Sequence, residues 1–213
     1  MKDLLVLKGI IIKAENVNDY DRRLVILTDK RGKISAFVRG ARKPNSRFIA
    51  ASNPLNMCTF YIYEGRNSYS VNEIEVTNYF DDLKRDYDSV YMAMYFCEMT
   101  DYYARENNDE LELLKLLYQS LRALESSQIP NDLVRAVWEL KSLTVNGEYA
   151  GALAGNTYDP TTLYAIDYII RTPVKSLYTF TVKEKNIKEL LIEGRRAIKA
   201  VTDHEFKSLE MIN

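Results

Sequence analysis

From Leu4 to Tyr79 the apolar positions recur with a period of two, the spacing of half-buried strands. Leu4–Ala14 is apolar and β-branched, with Gly9 read as a bulge or bend. A turn-like stretch, Asn16–Asp21, precedes a strand at Arg22–Thr28. Asp29-Lys30-Arg31-Gly32 reads as a tight turn in which Gly supplies a positive φ. Lys33–Arg39 alternates, with Ile34, Ala36 and Val38 on one face and Lys33, Ser35, Phe37 and Arg39 on the other. Gly40–Pro54 is a basic loop interrupted by Pro44 and Pro54. Asn56–Glu64 and Tyr69–Tyr79 form a hairpin around Gly65-Arg66-Asn67.

After residue 80 the period changes to that of helices. Leu83, Tyr87, Val90, Met94 and Cys97 define one inward stripe. Leu111, Leu114, Leu117, Tyr118, Leu121 and Leu124 define a second helix. A third runs through Val134, Val137, Trp138 and Leu143 to Val145, capped by Asn131 or Asp132 and stopped by Asn146-Gly147. Thr161–Arg171 is read as a helix with Leu163, Tyr164, Ile166 and Ile170 inward. Lys183–Val201 is a helix with Ile187, Leu190, Leu191, Gly194 and Ile198 on one face, and a short helix closes the chain over Asp203–Ile212. Leu177–Val182 is compatible with either state. Five short strands followed by helices predict an α+β protein: a five-stranded, partly open Greek-key barrel of the OB type over 1–80 and an α-helical domain over 81–213.

Composition changes this picture little. The 213 residues are 46% apolar and 28% charged, ordinary for a globular protein. No apolar run approaches the roughly 20 residues of a membrane span. Lys8 and Lys13 interrupt the first apolar stretch, which argues against a secretory leader. Two distant Cys, Cys58 and Cys97, fit a reducing cytoplasm and buried thiols, and they cannot form a paired-cysteine zinc site.

Charge changes it more. Residues 1–80 carry 13 Lys/Arg against 8 Asp/Glu, whereas 81–213 carry 16 against 22. A basic first domain on a chain of net charge −1 points to a polyanion, nucleic acid first. Catalytic chemistry is not assembled. The single His204 has no second His or Cys near it in sequence, and there is no phosphate-binding Gly motif; Gly151–Gly155 lacks a Lys. What stands out is Lys33, Phe37, Arg39, Arg42, Lys43 and Arg47, five cations and an aromatic within fifteen residues. Arg22 and Arg23 extend this track. Cations neutralise phosphates, and an aromatic stacks a base for about 1–3 kcal/mol. These features also fit an OB-fold RNA-binding module or a non-catalytic interaction adaptor.

The residues Asp21–Thr28, Arg31–Ala36 and Arg39-Gly-Ala-Arg42-Lys43-Pro-Asn-Ser-Arg47 resemble the amino-terminal domain of the bacterial DNA repair RecO family. Lys8–Ile11 and Tyr61–Gly65 fit the same pattern, as does the ending Glu205–Leu209. The resemblance implies an OB-fold joined to a helical domain, binding of single- and double-stranded DNA, and annealing of complementary strands. It also implies partnership with single-stranded DNA-binding protein (SSB) and RecR, and with RecF in some systems, in helping RecA replace SSB, with the nucleoid as the place of work. Many members carry four Cys in two CxxC pairs after the third helix. Here the matching stretch, Glu148–Val182, has none, so zinc is not expected and the apolar Leu163, Tyr164, Ile166, Tyr168 and Ile169 are expected to fill the space. SSB proteins end in an acidic tail with an apolar tip, which calls for an apolar pocket with a basic rim. Lys185, Lys188, Arg195, Arg196 and Lys199, beside Leu191 and Ile198, are the candidates.

Overall fold

The computed structural model describes residues 4–65 and 68–212. The tip of the expected hairpin, Arg66-Asn67, lies outside the described residues.

Five strands close a barrel in the order β1-β2-β3-β5-β4: β1 (Leu4–Asn16), β2 (Arg22–Thr28), β3 (Gly32–Val38), β4 (Met57–Glu64) and β5 (Tyr69–Asn78). β1 is long enough to pair antiparallel with two neighbours, β2 from Gly9 onward and β4 from Leu4 to Ile10. A short parallel seam, Ala36↔Tyr69 and Phe37↔Ser70, joins β3 to β5. The alternation in β3 holds: Ile34, Ala36 and Val38 point into the core, with Leu24, Ile26, Phe60 and Ile62 facing them from β2 and β4. A four-residue helix, α1 (Phe48–Ala51), lies between β3 and β4.

Gly9 is not the bulge. The register of β1 shifts between Ile11 and Lys13. At Gly9 a Cβ would run into the Leu27 carbonyl and lie 2.9 Å from the Ile26 side chain, so glycine serves a close approach of β1 to β2. Gly32 takes the positive φ expected of the β2–β3 turn, 60°.

Five longer helices follow: α2 (Tyr87–Tyr103), α3 (Leu111–Leu124), α4 (Asn131–Val145), α5 (Pro160–Arg171) and α6 (Glu184–Val201). By compactness the chain forms two units, 1–81 with 97–114, and 82–96 with 115–213. The first therefore holds more than the barrel. The α2–α3 connection is tied to the β2–β3 turn by Lys33 N–H donating to Arg105 O (3.0 Å), by Asn107 N–H donating to Arg31 O (2.9 Å) and by a Gly32↔Glu106 bridge.

The second unit packs α4 against α6. Trp138 is fully buried and stacks on Phe96 with ring centroids 4.7 Å apart. Arg135 and Glu139, one turn apart on α4, form a buried ion pair (2.9 Å), and the Tyr95 hydroxyl donates to the same Glu139 oxygen (3.1 Å). Burial outweighs both partners and pushes the Glu139 carboxyl above its usual range.

Several sequence expectations are corrected here. Of the expected stripe Leu83 and Cys97 are buried, but on α2 Tyr87 and Met94 are exposed (80% and 46%), and Ser89, Met92, Ala93, Tyr95, Phe96 and Met99 are buried with Cys97. This helix is apolar on both sides, so periodicity alone does not choose between them. On α5, Leu163 and Tyr164 face solvent, while Thr162, Ala165, Ile166 and Ile169 are buried. Thr162 turns inward because its hydroxyl accepts from the Asn186 amide (3.0 Å) and donates to Glu189 (2.5 Å). Pro130 is the N-cap of α4; the Asn131 amide donates instead to the Ser89 hydroxyl (3.1 Å). The chain end is irregular over 202–206 and forms a 3₁₀ turn only at Lys207–Met211. The α4 C-terminus follows expectation: Gly147 has φ 77° and its N–H donates to Thr144 O (3.0 Å), while Glu148 N–H donates to Leu143 O (2.8 Å).

Candidate nucleic-acid interface

The basic loop after β3 is hydrogen-bonded to the β1–β2 loop. Asn18 organises the β1–β2 loop, its side-chain oxygen accepting from Tyr20 N–H (3.0 Å) and Asp21 N–H (2.8 Å). Asp21 then accepts from Gly40 N–H (2.7 Å). That bond, the Asn18 amide, and the nearby Arg39 and Lys43 charges hold the Asp21 carboxyl below its usual range. Arg42 completes the brace: its backbone N–H donates to Tyr20 O (2.8 Å) and its guanidinium to Asn18 O (3.0 Å). The brace spends part of the Arg42 guanidinium on Asn18 O and leaves the Arg39 and Lys43 side chains exposed.

Each expected site residue can now be placed. Arg39, Arg42, Lys43 and Arg47 are exposed. The Arg39 guanidinium has no hydrogen-bond or ion-pair partner among the described residues. Arg47 donates to Asn72 O (2.9 Å) and lies over the Phe48 ring at 4.9 Å, on the α1 side of the loop. Arg23 lies in an exposed ion pair with Glu15 (2.5 Å). Lys13 and Arg23 together lower the Glu15 carboxyl. Phe37 is half-buried on the barrel wall, between Arg23 on β2 and Ser70 on β5. Two cations are turned inward. Arg22 donates to the Ser52 hydroxyl (2.9 Å) and the Asn53 side chain (3.0 Å), fixing the loop after α1. Lys33 pairs with the Asp101 carboxylate (2.8 Å) and also donates to the Asp101 carbonyl. The structure thus gathers Arg39, Arg42 and Lys43 around one loop pair, with Arg47 further along.

Chemistry beyond charge is sparse. No group of three or more His, Cys, Asp or Glu side chains converges to hold a metal ion among the described residues. Cys58 and Cys97 are buried and form no disulfide, and burial pushes the Cys97 thiol up to about 12. No helix among the described residues is long and apolar enough to cross a membrane.

Family profiles match this architecture. Residues 1–80 match Recombination protein O N terminal, and residues 84–150 match Recombination protein O C terminal. The chain belongs to the RecO family. Among its relatives, DNA repair protein RecO of Clostridium novyi is 25% identical over 97% of this chain and 92% of its own length. The protein of the same name from Acetivibrio thermocellus is 26% identical over 96% and 94%. That of Symbiobacterium thermophilum is 34% identical over 65% and 55%.

Within this RecO-family chain, the cysteine-free stretch 148–182 is organised by a carboxylate that the sequence analysis did not single out. Glu193 on α6 is fully buried. It accepts from the Tyr149 hydroxyl (3.0 Å), Leu153 N–H (2.6 Å), the Tyr158 hydroxyl (2.7 Å) and Arg196 (3.2 Å). Burial pushes both tyrosine hydroxyls up in pKa, so they stay protonated as donors. A lone carboxylate with four donors already on it, and no thiolate in the segment, is not a zinc donor set. The residues here do not fit zinc.

The same carboxylate alters the candidate cations of α6. Arg196 is spent on Glu193, the Tyr158 hydroxyl and Ala154 O (2.7 Å). Lys188 pairs with Glu184 (2.7 Å) and Lys185 with Asp159 (2.6 Å). Leu191 is half-buried. Arg195 and Lys199 are exposed and line a cleft of about 560 Å³ with Ile198, Phe206 and Leu209 on its floor; Asp203, Glu205 and Glu210 stand on its rim.

Proposed function

We propose that this protein is a non-catalytic DNA repair mediator. It binds single- and double-stranded DNA, anneals complementary strands and, with RecR and in some settings RecF, helps RecA replace SSB. Its DNA surface lies in residues 1–80 and its partner surface in 81–213, and it works in the cytoplasm on nucleoid DNA. The observation that carries this reading is the exposure of Arg39, Arg42, Lys43 and Arg47 on a braced loop of the barrel. Membership of the RecO family supports the repair role.

Annealing requires two polyanions to approach, and duplex DNA carries one charge per about 1.7 Å of axis. A braced cationic loop lowers that repulsion without any bond being made or broken. Arg39, Arg42, Lys43 and Arg47 take phosphates, Arg23 and Phe37 extend the surface along the barrel wall, and Arg22 and Lys33 act from within by fixing the loops. The SSB tail is assigned to the Arg195, Ile198 and Lys199 side of the cleft, where an apolar floor meets two exposed cations, across from Asp203, Glu205 and Glu210.

The test is annealing of complementary oligonucleotides coated with cognate SSB, without nucleotide or metal. Acceleration is expected, and so is a DNA affinity whose logarithm falls against log salt with a slope of roughly −3 to −4 on single strands. A slope near zero, or no acceleration with either coated or naked strands, overturns the reading.

A further inference from the structure

Tyr20 sits at the centre of the brace just described, in the part of the chain that reads as no more than a turn. The residue is 51% exposed although its backbone is held on both sides. The N–H donates to Asn18 and the carbonyl accepts from Arg42, so the ring is displayed from a fixed frame. Lys43 Nζ lies 5.8 Å from the ring centroid. Asn18, Asp19, Tyr20, Asp21, Arg39, Gly40 and Lys43 together line an open depression of about 390 Å³.

The chemistry of that depression is divided. Cations stand at Arg39 and Lys43, where phosphates of a strand can lie. The Asp21 oxygens are already taken by Gly40 and Asn18, whereas Asp19 remains an exposed acceptor in the same lining. An aromatic face beside a hydrogen-bond acceptor suits a nucleobase, whose flat surface stacks and whose amino groups donate. Bases in a duplex keep their faces stacked on one another and cannot use such a ring. Phe37, half-buried between its strand neighbours, is less available.

We propose that Tyr20 is the residue through which this interface distinguishes unpaired from paired DNA, its ring stacking an extruded base while Arg39 and Lys43 hold the flanking phosphates. The proposal rests on the reading of the basic loop as a DNA surface.

The test compares Tyr20→Ala, Tyr20→Phe and Tyr20→Trp in the full chain, on a single-stranded oligonucleotide and on its duplex at one salt concentration. Tyr20→Ala is expected to lose roughly 10- to 100-fold on single strands, to stay within about twofold on duplex, and to keep the wild-type salt slope, since no charge is removed. Tyr20→Phe binds like wild type. In Tyr20→Trp, fluorescence falls on addition of single strands but not duplex; Trp138, the chain's other indole, is buried and gives a constant background. Equal loss on both DNA forms, or wild-type binding by Tyr20→Ala, overturns the role of Tyr20 and leaves the basic loop standing. Absence of DNA binding by the wild type overturns the basic-loop reading itself.

Discussion

Two stretches of this chain carry clustered cations, the loop after β3 and the helix α6, and the fold treats them in opposite ways. In the loop, the Asp21 carboxylate is occupied by a backbone N–H and an amide, and Arg39 and Lys43 stay exposed. On α6, carboxylates lie within reach of the cations themselves: Glu193 takes Arg196, Glu184 takes Lys188, and Asp159 takes Lys185. A count of Lys and Arg therefore overstates usable charge wherever acids are placed to meet it. What decides is whether the backbone or a cation reaches the carboxylate first.

The largest effect that sharpens this contrast is expected at Glu193. Glu193→Ala strips the partner from two buried hydroxyls, one N–H and Arg196, and should lower stability by about 3 kcal/mol or more. Urea denaturation followed at Trp138 measures it, and an unchanged midpoint would remove Glu193 from its central place. The salt slope of DNA binding should not move in that variant. Replacing Arg39, Arg42 and Arg47 together by Ala comes next. It should flatten the single-strand salt slope by about 2, with a smaller fall in the denaturation midpoint than Glu193→Ala because the bonds that Arg42 and Arg47 give up are exposed. Smaller still, Arg195→Glu with Lys199→Glu should weaken binding of an acidic SSB-tail peptide roughly tenfold, about 1.4 kcal/mol, whereas Lys188→Glu should leave it unchanged. Equal loss in both would mean that paired and free cations on α6 are equivalent, and the comparison fails.

The smallest effect concerns Asp159, which caps α5 by accepting from Thr161 N–H (2.8 Å) and pairs with Lys185. Those partners, Lys185 first, hold its carboxyl well below the ordinary value of 3.8. A depressed carboxylate contributes stability that is full above its unfolded value and fades as pH falls toward the folded one. Asp159→Ala should thus lower the melting temperature slightly at pH 7, and the gap from wild type should close as the solution is acidified below pH 4. A gap that widened on acidification would show that the depression is not what Asp159 contributes.

The barrel was readable because alternation is a local property: Ile34, Ala36 and Val38 must share a face once β3 is extended. The α4 terminus was readable for a similar reason, since Asn146-Gly147 stops a helix wherever it stands. The faces of α2 and α5 were readable only in part, at Cys97 and Ile166. Tyr87, Val90 and Met94 form as good an apolar stripe as the one that is buried, and only packing separates them. Thr162 goes inward for the sake of Asn186 and Glu189, which lie more than twenty residues away in sequence. The site was readable as a basic loop but not as a braced one. Nothing local marks Arg22 and Lys33 as internal or Tyr20 as displayed, because Ser52, Asp101 and Arg42 come from other segments. Glu193 looks like one acid among many on a charged helix, and its burial follows from tyrosines some forty residues earlier.

The tie between the β2–β3 turn and the α2–α3 connection has a consequence for the order of synthesis. Every strand of the barrel has been made once Asn78 is added, at about 5–20 residues per second. The partners of Arg31 and Lys33 arrive only with Asp101, Arg105 and Asn107. The clasp that completes the first unit is therefore carried by residues 97–114, which are made only after the chain has entered the second unit at Asp82.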